Sequence, residues 1–307
     1  ALPIYRMTFF QCIGNHDFEK AYADLHNSSV GAERYAEQMF GRYFGPVNYS
    51  FNIGNAHVVT IKSINYRGGC HYEEEITDED LRWLERDLSY VPKDRLVILN
   101  MHAPGWNAME PIDNILNAKR LEEILAPYDA HVFAGHTHFF ENVEVSPRLY
   151  QHNIGSACGA WWTSNICRDG SPNGYMVVTV DGKKLRWKYR SANSKSDVQM
   201  RVYKPGEFRT QKDFIVANVW EWDPHCRVVW YEDGKYKGLM QRFVDNDEAF
   251  LRTNPRKHQL AKTGHLFRAR PSSKKYRYIK VIFINRFGET FTWKWENRNN
   301  RPFLLDK

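Results

Sequence analysis

The chain has no apolar run near the ~20 residues that a bilayer-crossing helix needs, so a helical membrane span is excluded. It has no Cys-x-x-Cys pair, which excludes a zinc ribbon or a thioredoxin-like redox motif. The five cysteines are Cys12, Cys70, Cys158, Cys167 and Cys226. Cys158 and Cys167 bracket the Trp161–Trp162 pair and could close a short disulfide loop in an exported protein, while buried free thiols fit the odd total equally well. Residues 1–10 carry no basic n-region and no small-residue cleavage site, so no signal peptide is read there. They read instead as a strand already under way. Internal repeats and low-complexity tracts are also missing. Aromatic residues, in contrast, are not scarce: they make up 15% of the chain, with ten tryptophans, which excludes general disorder.

At roughly 150 residues per domain, the 307 residues suggest two domains. Residues 1–192 carry 19 basic and 23 acidic side chains, a net −4, whereas residues 193–307 carry 24 and 13, a net +11. The polar run around Ser191–Ser196 separates these halves, and the expected division is 1–192 and 193–307. A basic second half could attract nucleic acid, an anionic surface or a phosphorylated substrate. Charge alone carries no specificity, and a solvated cationic face is the simpler explanation, so nucleic acid is not the expected partner.

In the first half strands alternate with helices. Leu96–Leu99 and Val132–Ala134 are short apolar runs suited to strands buried on both faces. Asn117–Leu125 predicts a helix with Leu121, Ile124 and Leu125 inward, stopped by Pro127. Thr77 to Asp80 resembles a capping box, and Leu81, Leu84 and Leu88 form the stripe of the next helix. Tyr49–Phe51 and Val58–Ile64 read as strands joined through Gly54-Asn55. A further hairpin is expected at Tyr175–Val180 and Leu185–Tyr189, about Asp181-Gly182. Beyond it, Phe214–Trp222, Arg227–Tyr231, Tyr278–Asn285 and Glu289–Trp295 alternate as strands of a small antiparallel sandwich. Arg252–Lys280, basic and holding Pro255 and Pro271, reads as a long irregular connection.

Three elements carry chemistry. Gly14-Asn15-His16-Asp17 follows apolar Phe9–Ile13, Asn100-Met101-His102 follows Leu96–Leu99, and Gly135-His136-Thr137-His138 follows Val132–Ala134. Each places an Asn or His just past an expected strand, the edge where open α/β sheets gather ligand groups. Imidazole nitrogens and an amide oxygen meeting there suit a borderline transition metal such as Mn, Zn or Fe. Each motif alone is ambiguous, since a single His after a strand is often a hydrogen-bonded core residue. Their joint occurrence favours a metal. The glycines before Asn15 and His136 are expected to permit tight turns that aim the next side chain.

On Gly14-Asn15-His16-Asp17, His102 and Gly135-His136-Thr137-His138, in that order, the chain resembles the calcineurin-like metallophosphoesterase family. The resemblance covers about residues 1–192 and includes Gly45-Pro46, Tyr49-Ser50-Phe51 and the Trp83-Leu84 helix. Gly159-Ala160-Trp161-Trp162 through Asp169–Tyr175 is similar to the passage into a C-terminal β domain in a subgroup of exported bacterial phosphoesterases. That implies an α+β fold, a four-layer α/β/β/α sandwich followed by a small all-β sandwich, and a periplasmic or extracellular location. It implies hydrolysis of a phosphate monoester or diester, with a phosphorylated small molecule or phosphodiester as substrate. By the same resemblance Asn15, His102 and His136 ligate one metal and His138 the other. His16, oriented by Asp17, donates a proton or hydrogen bond to the leaving oxygen.

The family pattern opens with Asp-x-His and Gly-Asp-x-x-Asp. Only 14 residues precede Asn15 and no Gly-Asp dipeptide occurs, so the expected core lacks its first motifs. Asp24-Leu25-His26 has the Asp-x-His spelling but follows Asn15 and lies in a polar stretch. Three neutral ligands with no carboxylate would hold a dication weakly. An open sheet edge would then invite a homo-oligomer. The alternative is a catalytically inactive binding protein that uses a degenerate core and the basic β domain. Two substrate contacts are further candidates: Arg67, in the glycine-bearing stretch Tyr66–His71, as a phosphate clamp, and Trp106 as part of an aromatic wall with Trp161 and Trp162. A plain surface loop and core packing are their respective structural alternatives.

Overall fold

The computed structural model describes residues 8–18, 31–69, 71–109, 113–254 and 260–297. Asp24-Leu25-His26, Cys70 and the first seven residues of the expected opening strand lie outside the described residues. By packing, the chain divides into two units. One comprises Ala1–Thr137, Val143–Asn153 and Val180–Lys184, the other His138–Asn142, Ile154–Thr179 and Leu185–Lys307.

The first unit begins with helix α1 (Gly31–Phe44), strands β1 (Tyr49–Ile53), β2 (Ala56–Thr60), β3 (Ile64–Gly68) and β4 (His71–Glu74), and helix α2 (Asp78–Ser89). Strand β5 (Leu96–Asn100), helix α3 (Ala118–Leu125) and strands β6 (Asp129–Ala134), β7 (Glu141–Ser146) and β8 (Leu149–Asn153) follow. The main sheet has the order β1-β2-β5-β6-β8-β7. β1 is antiparallel to β2 through the turn at Gly54, whose φ of 53° suits a residue without a Cβ. β2, β5, β6 and β8 run parallel. Parallel neighbours need crossovers, and α2 and α3 provide two of them. Thr77 Oγ1 caps α2 by accepting the Asp80 N–H at 3.2 Å, and Leu81, Leu84 and Leu88 are buried. Leu121, Ile124 and Leu125 of α3 join them against Val59, Val97, Leu99 and Val132. Each such fully buried leucine contributes about 1.5–3 kcal/mol.

Val58–Ile64 is not one strand. β2 stops at Thr60 and β3 starts a separate ribbon with β4. The Lys62 amide is taken by Asn48 Oδ1 at 2.8 Å and its ammonium by Glu37, which turns the chain out of the main sheet.

After hairpin β9 (Gly174–Asp181) and β10 (Lys184–Ser191) the chain is almost all β. It runs through β11 (Met200–Tyr203), β12 (Ile215–Val219), β13 (Arg227–Glu232), β14 (Lys235–Leu239) and β15 (Gln241–Asp245). Helix α4 (Glu248–Thr253), β16 (Thr263–Ala269), β17 (Tyr278–Ile284) and β18 (Thr290–Glu296) complete it. Two four-stranded antiparallel sheets, β11-β12-β16-β15 and β14-β13-β17-β18, share one apolar core. Val281 and Phe283 of β17 meet Ala217 and Phe267 there. The mixed α/β core and the all-β C-terminal part are those expected from the sequence.

Arg252–Lys280 is not irregular: it contains β16, a central buried strand. Polar Thr263 and His265 mask it in the sequence, and the structure gives His265 a partner. Its Nε2 lies 2.9 Å from Asp169 Oδ2 in the buried interior. Next to this pair Asp247 accepts hydrogen bonds from Tyr203 Oη (2.8 Å) and Asn218 Nδ2 (2.7 Å) and caps α4. Gly170 runs so close that a Cβ there would sit 2.0 Å from Asp247 Cγ, and its φ is 82°. No other residue fits. Cys158 and Cys167 are free thiols, which decides between the two cysteine alternatives.

Glu221 gives this unit a pH dependence. Tyr189 N–H and Asn285 Nδ2 donate to its two oxygens at 2.8 and 3.1 Å, yet burial pushes its carboxyl up to about 7 from an ordinary 4.5. The unfolded chain therefore holds fewer protons than the folded one between these values, so stability falls as pH rises through that window. The loss attached to Glu221 is about 3 kcal/mol and is complete above pH 7. Thermal midpoints measured from pH 4 to 8 should fall less in Glu221→Gln than in the unmodified protein. Equal slopes would refute the assignment.

Candidate functional site

β5 and β6 are adjacent and parallel, and His102 and His136 each lie two residues past their ends. The ladder continues beyond both strands: Met101 N–H donates to Phe133 O at 3.1 Å and Gly135 N–H to His102 O at 2.9 Å. The two loops are thereby zipped together. The imidazole centroids stand 5.0 Å apart, and His102 Nε2 lies 3.2 Å from His136 Nδ1. His136 has φ 68°, a left-handed conformation costing about 1–2 kcal/mol in a residue with a Cβ. Thr137, buried and bonded through Oγ1 to Asn153 Nδ2 at 2.6 Å, holds the turn in place.

Asn15 arrives differently. No strand precedes it among residues 8–14; the segment is irregular, anchored by fully buried Ile13. A 3-10 turn, Asn15–Asp17, is closed by Asp17 Oδ2, which accepts the Gly14 N–H at 2.8 Å. Buried Asn15 directs Oδ1 to His102 Nε2 (2.9 Å) and donates from Nδ2 to Tyr72 Oη (3.1 Å).

Tyr72 belongs to β4, and two residues on, Glu74 Oε1 lies 3.1 Å from His136 Nε2. Residues i and i+2 of a strand share a face. β4 thus presents Tyr72 and Glu74 to the site, while Glu73 and the following Glu75 hold Arg67 on the other side. The protons follow from the partners. The Glu74 carboxylate accepts, so His136 carries its proton on Nε2 and offers an Nδ1 lone pair. His102 Nε2–H faces that lone pair and the Asn15 amide oxygen. Tyr72, Asn15, His102, His136 and Glu74 form one chain of hydrogen bonds.

The glycines do not act as expected. Gly14 is extended, φ −124°, and needs no special turn. A Cβ on it would lie 2.7 Å from His102 Nδ1, so its role is to leave room for the ring. Gly135 has nothing within 4 Å of a built Cβ, and the left-handed residue is His136 itself.

The chemistry of the donor set fits a cation. With bonds of about 2.0–2.1 Å and angles between octahedral and tetrahedral, two ligands of one ion are ~2.8–3.4 Å apart. His102 Nε2 stands at 2.9 and 3.2 Å from the other two donors. Among the described residues no group of three or more His, Cys, Asp or Glu side chains is arranged to hold a metal; the convergent set is two imidazoles and an amide. A wholly neutral surrounding is not what forms, because the Glu74 carboxylate backs His136. Cys12 adds no thiolate: burial, and then the charge of Asp17, pushes its pKa up to about 12.

The remaining candidates are placed as follows. His16 is exposed on the same turn as Asn15. His138 belongs to the second unit, where Nδ1 lies 2.8 Å from the Gly159 carbonyl and the ring stacks on Trp161 with centroids 4.7 Å apart. Trp161 and Trp162 are both left-handed, and Trp162 is 84% exposed. Arg67 is half exposed, and its guanidinium is held by Glu73 (2.6 Å) and Glu75 (2.9 Å). Trp106 is partly buried and packs against the first unit's core. Tyr72 and Glu74 escape the sequence reading, since His71–Glu75 looks like a solvated acidic stretch. Strand alternation was the available signal.

Residues 1–140 match the family model described as calcineurin-like phosphoesterase, and residues 151–291 match that of the C terminal of calcineurin-like phosphoesterase. No curated protein matches the chain. Among solved structures, a dimetal phosphatase from Danio rerio is similar at 13% identity and a TM-score of 0.36, over 68% of each chain.

The two glycines separate by mutation. Gly14→Ala is expected to displace the His102 ring and to cost about 1–3 kcal/mol, the range for overpacking a filled site. Gly135→Ala should leave the thermal midpoint unchanged. Calorimetric melts of both variants check this, and equal midpoints would show that the His102 ring can give way freely.

Proposed function

The chain belongs to the calcineurin-like phosphoesterase family, and on that premise we propose that it hydrolyses a phosphate mono- or diester with a divalent transition metal held by Asn15, His102 and His136. The single observation behind this is the meeting of three donors from three separate segments at 2.9 and 3.2 Å. When bound, such an ion supplies Lewis-acid charge to the phosphate oxygens and lowers the pKa of the attacking water.

The protein's own residues prepare for it. For His102 Nε2 to serve as a donor atom, the neutral imidazole would carry its proton on Nδ1 instead, a change of tautomer with no net proton released. His136 already holds its proton on the far nitrogen, so its donor atom needs no change. His16, exposed beside Asn15, is assigned to donate a proton or hydrogen bond to the leaving oxygen, while Asp17 closes the turn that carries it. Family resemblance gives His138 to a second ion. Its Nδ1–H donates to the Gly159 carbonyl, which makes Nε2 the donor atom for such a role. The exported setting belongs to the same proposal and rests on resemblance alone.

The test is metal analysis together with hydrolysis of an aryl phosphate and an aryl phosphodiester, with Mn or Zn added. Hydrolysis should be abolished by chelator and by His102→Ala. A folded protein that takes up neither metal and cleaves neither ester would sink the proposal and favour a binding role.

A further inference from the structure

We propose that Glu74 is the positioning residue of this site: it fixes the tautomer of His136 and lends the negative charge that the three neutral donors lack. This rests on the metal reading of Asn15, His102 and His136 given above. Glu74 Oε1 lies 3.1 Å from His136 Nε2, and the Glu74 side chain is only 23% exposed. An acceptor at that atom leaves the imidazole lone pair on Nδ1, the nitrogen that faces His102 Nε2. Were the proton on Nδ1 instead, it would occupy the place of the ion.

The position is built in from two directions. Tyr72, on the same face of β4, holds Asn15 at 3.1 Å, so one strand sets two of the three donors. Beyond β4 the Glu74 carbonyl accepts Leu116 N–H at 2.8 Å, and Glu75 N–H donates to Ser63 O at 3.1 Å, which pins the strand end. A carboxylate behind a ligating imidazole orients the ring and raises its basicity. In this chain it also places one negative charge beside an expected dication, where the neutral trio offers none.

Two measurements test the assignment. In metal-free protein with 15N-labelled histidine, two-bond nitrogen–proton correlations should show His136 protonated at Nε2 in the unmodified chain and in Glu74→Gln. Glu74→Ala should show a mixture of tautomers. Calorimetric titration with Mn2+ should give an affinity about tenfold weaker in Glu74→Gln and up to ~100-fold weaker in Glu74→Ala. Equal Mn2+ affinity in the unmodified protein and Glu74→Ala overturns the Glu74 assignment alone. If Glu74→Ala does not fold, undiminished affinity in Glu74→Gln overturns it. No Mn2+ uptake by the unmodified protein, with His136 still protonated at Nε2, overturns the metal reading and with it the purpose assigned to Glu74.

Discussion

Parallel pairing of β5 with β6 is the constraint on which the site depends. Two parallel strands end at the same edge of a sheet, and here the ladder runs on to His102 past β5 and to Gly135 past β6. His102 is consequently bonded through its carbonyl to Gly135, the residue just before His136. No long side chain has to reach across a cleft, and little further ordering entropy is needed to bring the rings together. The left-handed turn at His136 is maintained by the buried Thr137–Asn153 bond.

On this frame a line of polar groups closes with donors matched to acceptors. Tyr72, Asn15, His102, His136 and Glu74 each satisfy a neighbour in a largely buried environment, where an unmatched group would cost 1–3 kcal/mol. The charged end of the line is on the hairpin ribbon β3–β4 and the neutral amide on a 3-10 turn. The site thus draws on three structural contexts, of which only the sheet edge is regular. The same economy recurs in the second unit, where Asp169 with His265, and Asp247 with Tyr203 and Asn218, let polar residues lie inside a β-sandwich.

Much of the architecture is legible in the residues. Buried runs such as Leu96–Leu99, the capped stripe Leu81-Leu84-Leu88 and the Gly54 and Gly182 turns are local patterns, governed by neighbours within one or two turns of chain. Other elements escape because their stability is non-local. β16 looks irregular until Asp169, 96 positions away, is seen to bond His265. β4 looks like solvated acid until Arg67 takes Glu73 and Glu75 on one face and His136 takes Glu74 on the other. Arg67 and Trp106 show the same dependence: the partners they have, Glu73 and Glu75 for one and the first unit's core for the other, are not adjacent in the sequence pattern that singled them out.

From its order of motifs the chain by itself determined the family, the mixed α/β core and the β-rich second half, and it singled out Asn15, His102 and His136, which the structure brings together. These follow from residue types at fixed short spacings, which local backbone physics translates directly. Only the tertiary structure decided what stands behind them: that Gly14 is small to admit the His102 ring, that Tyr72 and Glu74 complete the line, and that Cys158 and Cys167 are free thiols. Such facts depend on segments distant in sequence packing to within a bond length, and contact at that range is set by the whole fold.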